Sequence, residues 1–192
     1  MSEGGLDAYL DRVLVGGREK RDIVIHDYDP AWPERFRAER DRITAALGPL
    51  GRRIAHVGST AVPGLAAKPV VDIQVVVDDL EAEGAYRLPL ERAGYQLRVR
   101  EPGHRMFRTP ERDVHVHVWP AGSDDERRDL LFRDRLRASP ADREAYERVK
   151  RALARREWRD MNHYASAKSA VVEEIMGRAE RWAAATGWTA RG

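Results

Sequence analysis

Apolar residues are densest at 70–77, VVDIQVVV, a run interrupted only by Asp72 and Gln74. A run of that length, rich in β-branched residues, predicts a strand covered on both faces. RRIAHVG (52–58) reads as a shorter strand, and STAVPGLAAKP (59–69) as a turn-rich connection between the two. YQLRVR (95–100), RMFRT (105–109) and DVHVHVW (113–119) are three further strands, separated by EPG and PER turns into an antiparallel meander. IVIH (23–26) is β-branched and is a sixth strand candidate, closed by the two prolines of DYDPAWP.

Helical spacing appears elsewhere. Phe36, Arg40, Ile43 and Leu47 recur on one face from Pro33 to Leu47, and Gly48, Pro49 and Gly51 end that helix. A helix over 80–93 follows the capping residues Asp78 and Asp79, must accommodate Pro89, and closes at Gly94. After Gly122 the pattern is helical throughout. One segment spans 124–138, a second opens at Pro140, and a third covers 159–185. In the third, Tyr164, Lys168, Val171, Val172, Ile175, Met176 and Ala179 share one face. The expected class is α+β: a mixed, mostly antiparallel sheet flanked by helices, with a helical C-terminal third. Residues 1–21, with glycine pairs at 4–5 and 16–17, read as a flexible leader able to hold a short helix. Residues 22–186 read as a single domain and 187–192 as a C-terminal tail.

Composition narrows the function classes. The 192 residues suffice for a core without staples, and 34% of them are charged. There is no cysteine, which excludes disulfides, thiolate nucleophiles and thiolate metal sites. No apolar run nears the ~20 residues of a membrane span, and the N-terminal stretch lacks the pattern of a secretion signal. A cytoplasmic protein without a membrane partner is expected. Of 34 basic residues only Lys20, Lys68, Lys150 and Lys168 are lysine, and Asn162 is the lone asparagine. Scarcity of both residue types points to G+C-rich codon usage. Acidic residues are mixed into the arginine runs and the net charge is only +2, so nucleic acid is not the expected partner. Lysines that survive such a bias mark places where a guanidinium does not substitute for an ammonium.

Candidate chemistry gathers in a few places. Gly58-Ser59 directly follows a strand, where successive N–H groups can form an anion nest, although most such turns are only turns. Asp72 and Gln74 share one face of an otherwise apolar strand. A buried carboxylate there demands a partner or a metal, unless it lies at the sheet end bonded to backbone. His115 and His117 likewise share a face and make a workable metal pair, or simply a polar sheet face. Lys68 precedes Pro69 at the mouth of the strand holding Asp72. Lys168 lies four residues after Tyr164, so in one helix both project from one side, either into a site or as a snorkelling lysine.

These residues resemble a known family. HVGSTAVPGLAAKPVVDI (56–73) is similar to the signature of the GrpB-like family. YDPAWPERF (28–36) resembles the family's opening, VHVHV (114–118) its His-x-His strand, and LLFRDRLRASP (130–140) a further conserved segment. Tyr146 and Lys150, then Tyr164 and Lys168, fall where the family has Tyr-x-x-x-Lys helices, so the resemblance runs from about residue 23 to 180. It implies a nucleotidyltransferase-like fold in which Gly58 and Ser59 cradle nucleotide phosphates and Asp72 is a metal ligand. The second carboxylate of that superfamily is here Gln74, and the third acidic position is His115 or His117. Some relatives are fused to dephospho-coenzyme A kinase.

Three functions are compatible with this sequence. The first is a transferase acting on a nucleotide and a small-molecule acceptor. Gly58, Ser59 and Thr60 would bind phosphate, and Asp72, Gln74 and His117 would hold a divalent metal (Mg, Mn or Zn). Lys68, Arg133 and Lys168 would offset charge, Tyr164 would help bind the nucleotide, and His115 would serve as general base. The second is a degenerate module that binds a nucleotide or coenzyme without chemistry. The third is a metal-dependent hydrolase built on the histidine pair.

Overall fold

The computed structural model describes residues 3–190. In chain order the elements are α1 (Glu3–Val13), α2 (Ala31–Leu47), β1 (Arg53–Val57), β2 (Val71–Val77), α3 (Glu83–Arg92), β3 (Gln96–Glu101), β4 (His104–Arg108) and β5 (Val114–Pro120). They are followed by α4 (Asp124–Ala138), α5 (Pro140–Ala154), α6 (Met161–Ser166) and α7 (Ser169–Thr186). The sheet runs β1-β2-β5-β4-β3. Only β2 and β5 pair in parallel, and the other three pairings are antiparallel. This is the expected α+β architecture with its helical C-terminal third.

Strand alternation gives the sheet two unlike faces. Val71, Ile73, Val75 and Val77 of β2, Val114, Val116 and Val118 of β5, and Phe107 of β4 build the main core on one face. The apolar side of α2 (Trp32, Ile43, Leu47) and of α3 (Tyr86, Leu90) closes that core. Pro89 is accommodated inside α3. The in-between residues of the same strands, Asp72, Gln74, His115 and His117, therefore point to the opposite face, on the side of α4. There only a small apolar cluster of Ala55, Val57 and Leu130 forms between β1 and α4. One face of the sheet is thus spent on stability, while the other carries polar groups.

The C-terminal helices have strong local stop and start signals. Ser123 caps α4, accepting from the Glu126 amide, and three acidic residues occupy its first turn. Ser139 ends α4 and caps α5, with Pro140 at the first position. The third helix read from sequence is in fact two. Asp160 caps α6 through its Oδ1, which accepts from the amides of Asn162 and His163. The chain then breaks at Ala167, and Lys168 is the N-cap of α7. Apolar spacing alone could not reveal this break, because the apolar positions stay in register across it.

Two other expectations need correcting. IVIH is not a strand. It makes a single bridge between His26 and Ala67, and Val24 stays exposed. The leader is docked rather than loose. Leu10 and Val13 are buried, Leu14 bridges to Val99, and Arg98 donates to the carbonyls of Val15 and Gly17. Glu19 pairs with Arg108 at 2.7 Å, and its carboxyl is held at about 2 mainly by that hydrogen bond. At the other end Trp188 donates to Asp134 Oδ2 at 3.1 Å. The remainder of the leader and tail, residues 1–2 and 191–192, lies outside the described residues. Among the described residues no helix is long and apolar enough to cross a membrane.

Phe107 is fully buried and edge-on to Tyr86. Phe107→Ala is expected to lower stability by about 3–5 kcal/mol in urea unfolding. Leu88→Ala, at a position 53% exposed, is expected to change it by less than about 0.5 kcal/mol. Equal effects would contradict this assignment of the core.

Candidate functional site

A cleft of about 890 Å³ opens on the polar face of the sheet, within the size range of small-molecule sites. It lies where β1 ends and β2 and β5 begin, since Asp72 pairs with Val57 on one side and His115 on the other. Gly58 makes the turn out of β1 with φ 67° and ψ −169°, a region essentially restricted to glycine. A Cβ placed on it would lie 2.4 Å from Asp72 Oδ2. The Gly-Ser turn and the Asp72 carboxylate are therefore packed directly against each other.

His115 Nδ1 lies 3.3 Å and His117 Nε2 3.6 Å from Asp72 Oδ1. The atoms of these three residues that could ligate a metal are all within 4.8 Å of one another. Burial alone would raise the Asp72 pKa, but hydrogen bonds from the two imidazoles outweigh it and hold the carboxyl well below its usual range. Burial is the largest influence on His117 and lowers it, but the hydrogen bond to Asp72 and the charges of Asp72, Asp129 and Glu101 together raise its pKa. Behind His117 lies a chain that sequence reading missed. Its Nδ1 is 3.1 Å from His104 Nε2, and His104 Nδ1 is 2.6 Å from Glu101 Oε1. His104 stacks on Trp119 at 4.1 Å, and burial lowers its pKa. Trp119 in turn donates to Asp129 of α4 at 3.0 Å, and burial raises the pKa of that carboxyl.

The opposite side of the cleft is cationic. Lys68 and Lys168 both lie over the Tyr164 ring, at 5.2 and 5.0 Å from its centroid. Lys150 lies 4.7 Å from the centroid of Tyr146 and donates to the Ala66 carbonyl. All three ammonium groups have lowered pKa values, first through burial. Lys68 is pushed down to about 8, further lowered by Lys168. Lys150 goes to about 7, further lowered by Lys168 and Lys68. Lys168 also falls, although Asp72 opposes the shift. Tyr164 has no exposed surface and its hydroxyl has no hydrogen-bond partner. An unpaired buried hydroxyl on a ring that carries two ammonium groups marks a position that a ligand can satisfy. Ser59 hydrogen-bonds the Tyr146 hydroxyl, so the Gly-Ser turn reaches the lysine side as well.

Gly58, Ser59, Lys68, Asp72, His115, His117, Tyr164 and Lys168 thus all line one cleft. Three residues nominated with them do not. Gln74 is fully buried and donates to the Glu126 carbonyl at 2.9 Å, joining β2 to α4. Thr60 turns inward, donating to the Val70 carbonyl at 3.1 Å and lying 3.0 Å from His56 Nε2. Its proton is committed to Val70, so His56 must carry its own on Nε2. Burial pushes His56 down to about 4. Arg133 is buried and donates to the His56 carbonyl at 3.0 Å, tying α4 to β1. His115 lies in the same cluster as Asp72 and His117.

The sequence profile described as GrpB protein matches residues 22–178. The chain belongs to the GrpB family. It is 53% identical over 166 residues to a UPF0157 protein of Streptomyces coelicolor, covering 86% of this chain and 89% of that one. It is 48% identical to a UPF0157 protein of Halalkalibacterium halodurans, covering 90% and 91%. A dephospho-CoA kinase of Mycolicibacterium paratuberculosis is 33% identical over 83% of this chain but only 46% of its own length. The crystal structure of the conserved protein GrpB from Enterococcus faecalis superimposes with a TM-score of 0.74 at 32% identity, over 83% of this chain and 99% of that one. The docked segment of residues 3–21 precedes the GrpB match, yet Leu14 and Glu19 line the cleft.

Gly58→Ala is expected to cost more stability than Gly64→Ala. Both have positive φ, but nothing lies within 4 Å of a Cβ at Gly64. Gly64→Ala therefore carries only the backbone cost of about 1–2 kcal/mol, and Gly58→Ala adds the collision with Asp72. Equal losses in urea unfolding would contradict the close approach.

Proposed function

We propose that this GrpB-family protein is a nucleotidyltransferase-like enzyme. It binds the phosphates of a nucleotide beside a divalent cation and transfers a nucleotidyl or related group to a small acceptor. The observation that carries this reading is the meeting of three of the chain's four lysines with an Asp-His-His cluster across the Gly58-Ser59 turn. Buried ammonium groups that repel one another destabilise a cleft unless an anion enters it. A polyphosphate has the charge to offset all three. Ser59 and the turn's backbone amides would hold one phosphate, while Tyr164, whose ring lies against Lys68 and Lys168, would supply an unused hydroxyl.

The donor set fits a divalent cation of borderline softness. One carboxylate and two imidazoles suit Mn²⁺ or Zn²⁺ better than Mg²⁺, which prefers oxygen ligands. Asp72, His115 and His117 would hold the ion. When bound, it would neutralise phosphate charge and polarise a phosphoryl oxygen. A second reading draws on Gln74. Because that amide joins β2 to α4 and does not line the cleft, β2 offers one carboxylate where the superfamily has two. That favours a module that binds a nucleotide without turning it over.

The lysines set the pH dependence. An anion selects the charged ammonium form, so binding at neutral pH takes up protons and weakens as pH rises. Lys68 at about 8 faces Lys168, Asp72 and Arg21, and Lys150 at about 7 faces Lys168, Glu147, Arg151 and Lys68. ATP affinity measured calorimetrically with Mn²⁺ is expected to fall as pH rises from about 6.5 to about 9. Lys68→Met and Lys168→Met are each expected to weaken binding about tenfold or more. Pyrophosphate release with a panel of small acceptors supports the transferase, and binding without release supports the module. Affinity that ignores both pH and the lysine variants would overturn both readings.

A further inference from the structure

Residues 14–26 connect the two sides of the cleft. Leu14 bridges to Val99 of β3, and Glu19 pairs with Arg108 of β4. The Glu19 carbonyl accepts from the Met161 amide, at the start of α6, at 3.1 Å. Further on, His26 exchanges two backbone hydrogen bonds with Ala67, next to Lys68. The chain thus passes from the β3–β4 side of the sheet to the helix that carries Tyr164, and on to the connection that carries Lys68. Arg21 lies between the last two anchors and lines the cleft. Four arginines line it, and three are committed to the protein. Arg98 donates to the Val15 and Gly17 carbonyls, and Arg108 and Arg112 share the Glu19 carboxylate. Arg21 makes no hydrogen bond or ion pair among the described residues. It is near enough to Lys68 to help depress that ammonium, after burial and Lys168. An unpaired guanidinium beside another cation gains from an anion that bridges both.

We propose that Arg21 is a substrate-binding residue, a fourth cation that joins Lys68 in holding the phosphate chain of the nucleotide. The inference rests on the anion site of the proposed function, and deepens it with a residue that precedes the GrpB match. The planar fork of a guanidinium takes two phosphate oxygens at once, which an ammonium does not. The segment is anchored through Arg98, Arg108 and the Met161 amide, so Arg21 is free to serve the ligand alone.

The test is calorimetric binding of ATP and of inorganic tripolyphosphate to the full chain, both with Mn²⁺ at neutral pH. Arg21→Met is expected to weaken both about tenfold, because the contact is to phosphate and not to the nucleoside. Its urea midpoint is expected to match wild type, since the side chain holds nothing in the protein. Arg21→Lys keeps the charge without the fork and is expected to recover part of the affinity. Arg181→Met removes an equal charge from α7, outside the cleft, and is expected to bind as wild type does. Arg21→Met that binds both ligands like wild type, or loses affinity for ATP alone, overturns the inference and leaves the lysine site standing. A lowered urea midpoint with equal losses in Arg21→Met and Arg21→Lys marks a structural part for Arg21 and overturns it too. Wild type that binds neither ligand overturns the anion site itself, and with it the role of Arg21.

Discussion

The contact between the bare Cα of Gly58 and the Asp72 carboxylate organises the site. It needs a positive φ at residue 58 and no side chain, because a Cβ would lie 2.4 Å from Oδ2. That approach brings the turn leaving β1 onto the second residue of β2. The parallel register of β2 with β5 then sets His115 beside Asp72 and His117 beside Gln74. The 59–70 connection, starting from the same glycine, returns Lys68 to the cleft. The Gly-Ser turn, the carboxylate and the imidazoles are placed by one tight turn and one strand pairing.

The sheet supports this by dividing its labour. Its valine-rich face packs on α2 and α3 and provides the apolar burial. The alternate residues of the same strands are then free to be polar. Where α4 comes close, helix and sheet are tied together individually, as with Gln74 of β2 on the Glu126 carbonyl and Arg133 of α4 on the His56 carbonyl. Where α4 diverges, the cleft remains, and α5, α6 and the start of α7 deliver the tyrosines and two of the lysines to it.

Much of this was legible in the chain. The strands β1 to β5, the helices α4 and α5, and the same-face pairs Asp72 with Gln74 and His115 with His117 follow from period-two and period-3.6 patterns, while the pairing of β2 with β5 puts Asp72 and the histidines on one face. The rarity of lysine singled out four positions, of which Lys68, Lys150 and Lys168 also match the family's pattern, and only Lys68 and Lys168 were nominated for the site. What was lost depends on contacts distant in sequence. Gln74 shares the face of Asp72, but whether that face is covered at Gln74 depends on α4, 52 residues away. Thr60 adjoins Ser59, yet the short helical turn points it inward. His104 falls between the EPG turn and the strand read at 105–109, and only the pairing of β4 with β5 brings it onto His117. The break before Lys168 left no apolar signature, yet it places the lysine over the Tyr164 ring.

The central claim is that one cleft holds a cation on Asp72, His115 and His117 and polyphosphate on the three lysines. Anomalous diffraction at the manganese edge, from crystals soaked with Mn²⁺ and a non-hydrolysable nucleotide, tests it most directly. The account predicts a manganese peak bounded by Asp72 Oδ1, His115 Nδ1 and His117 Nε2, with nucleotide phosphates against Lys68, Lys150 and Lys168. A cleft empty at saturating ligand, or a nucleotide and metal bound elsewhere on the protein, would contradict it.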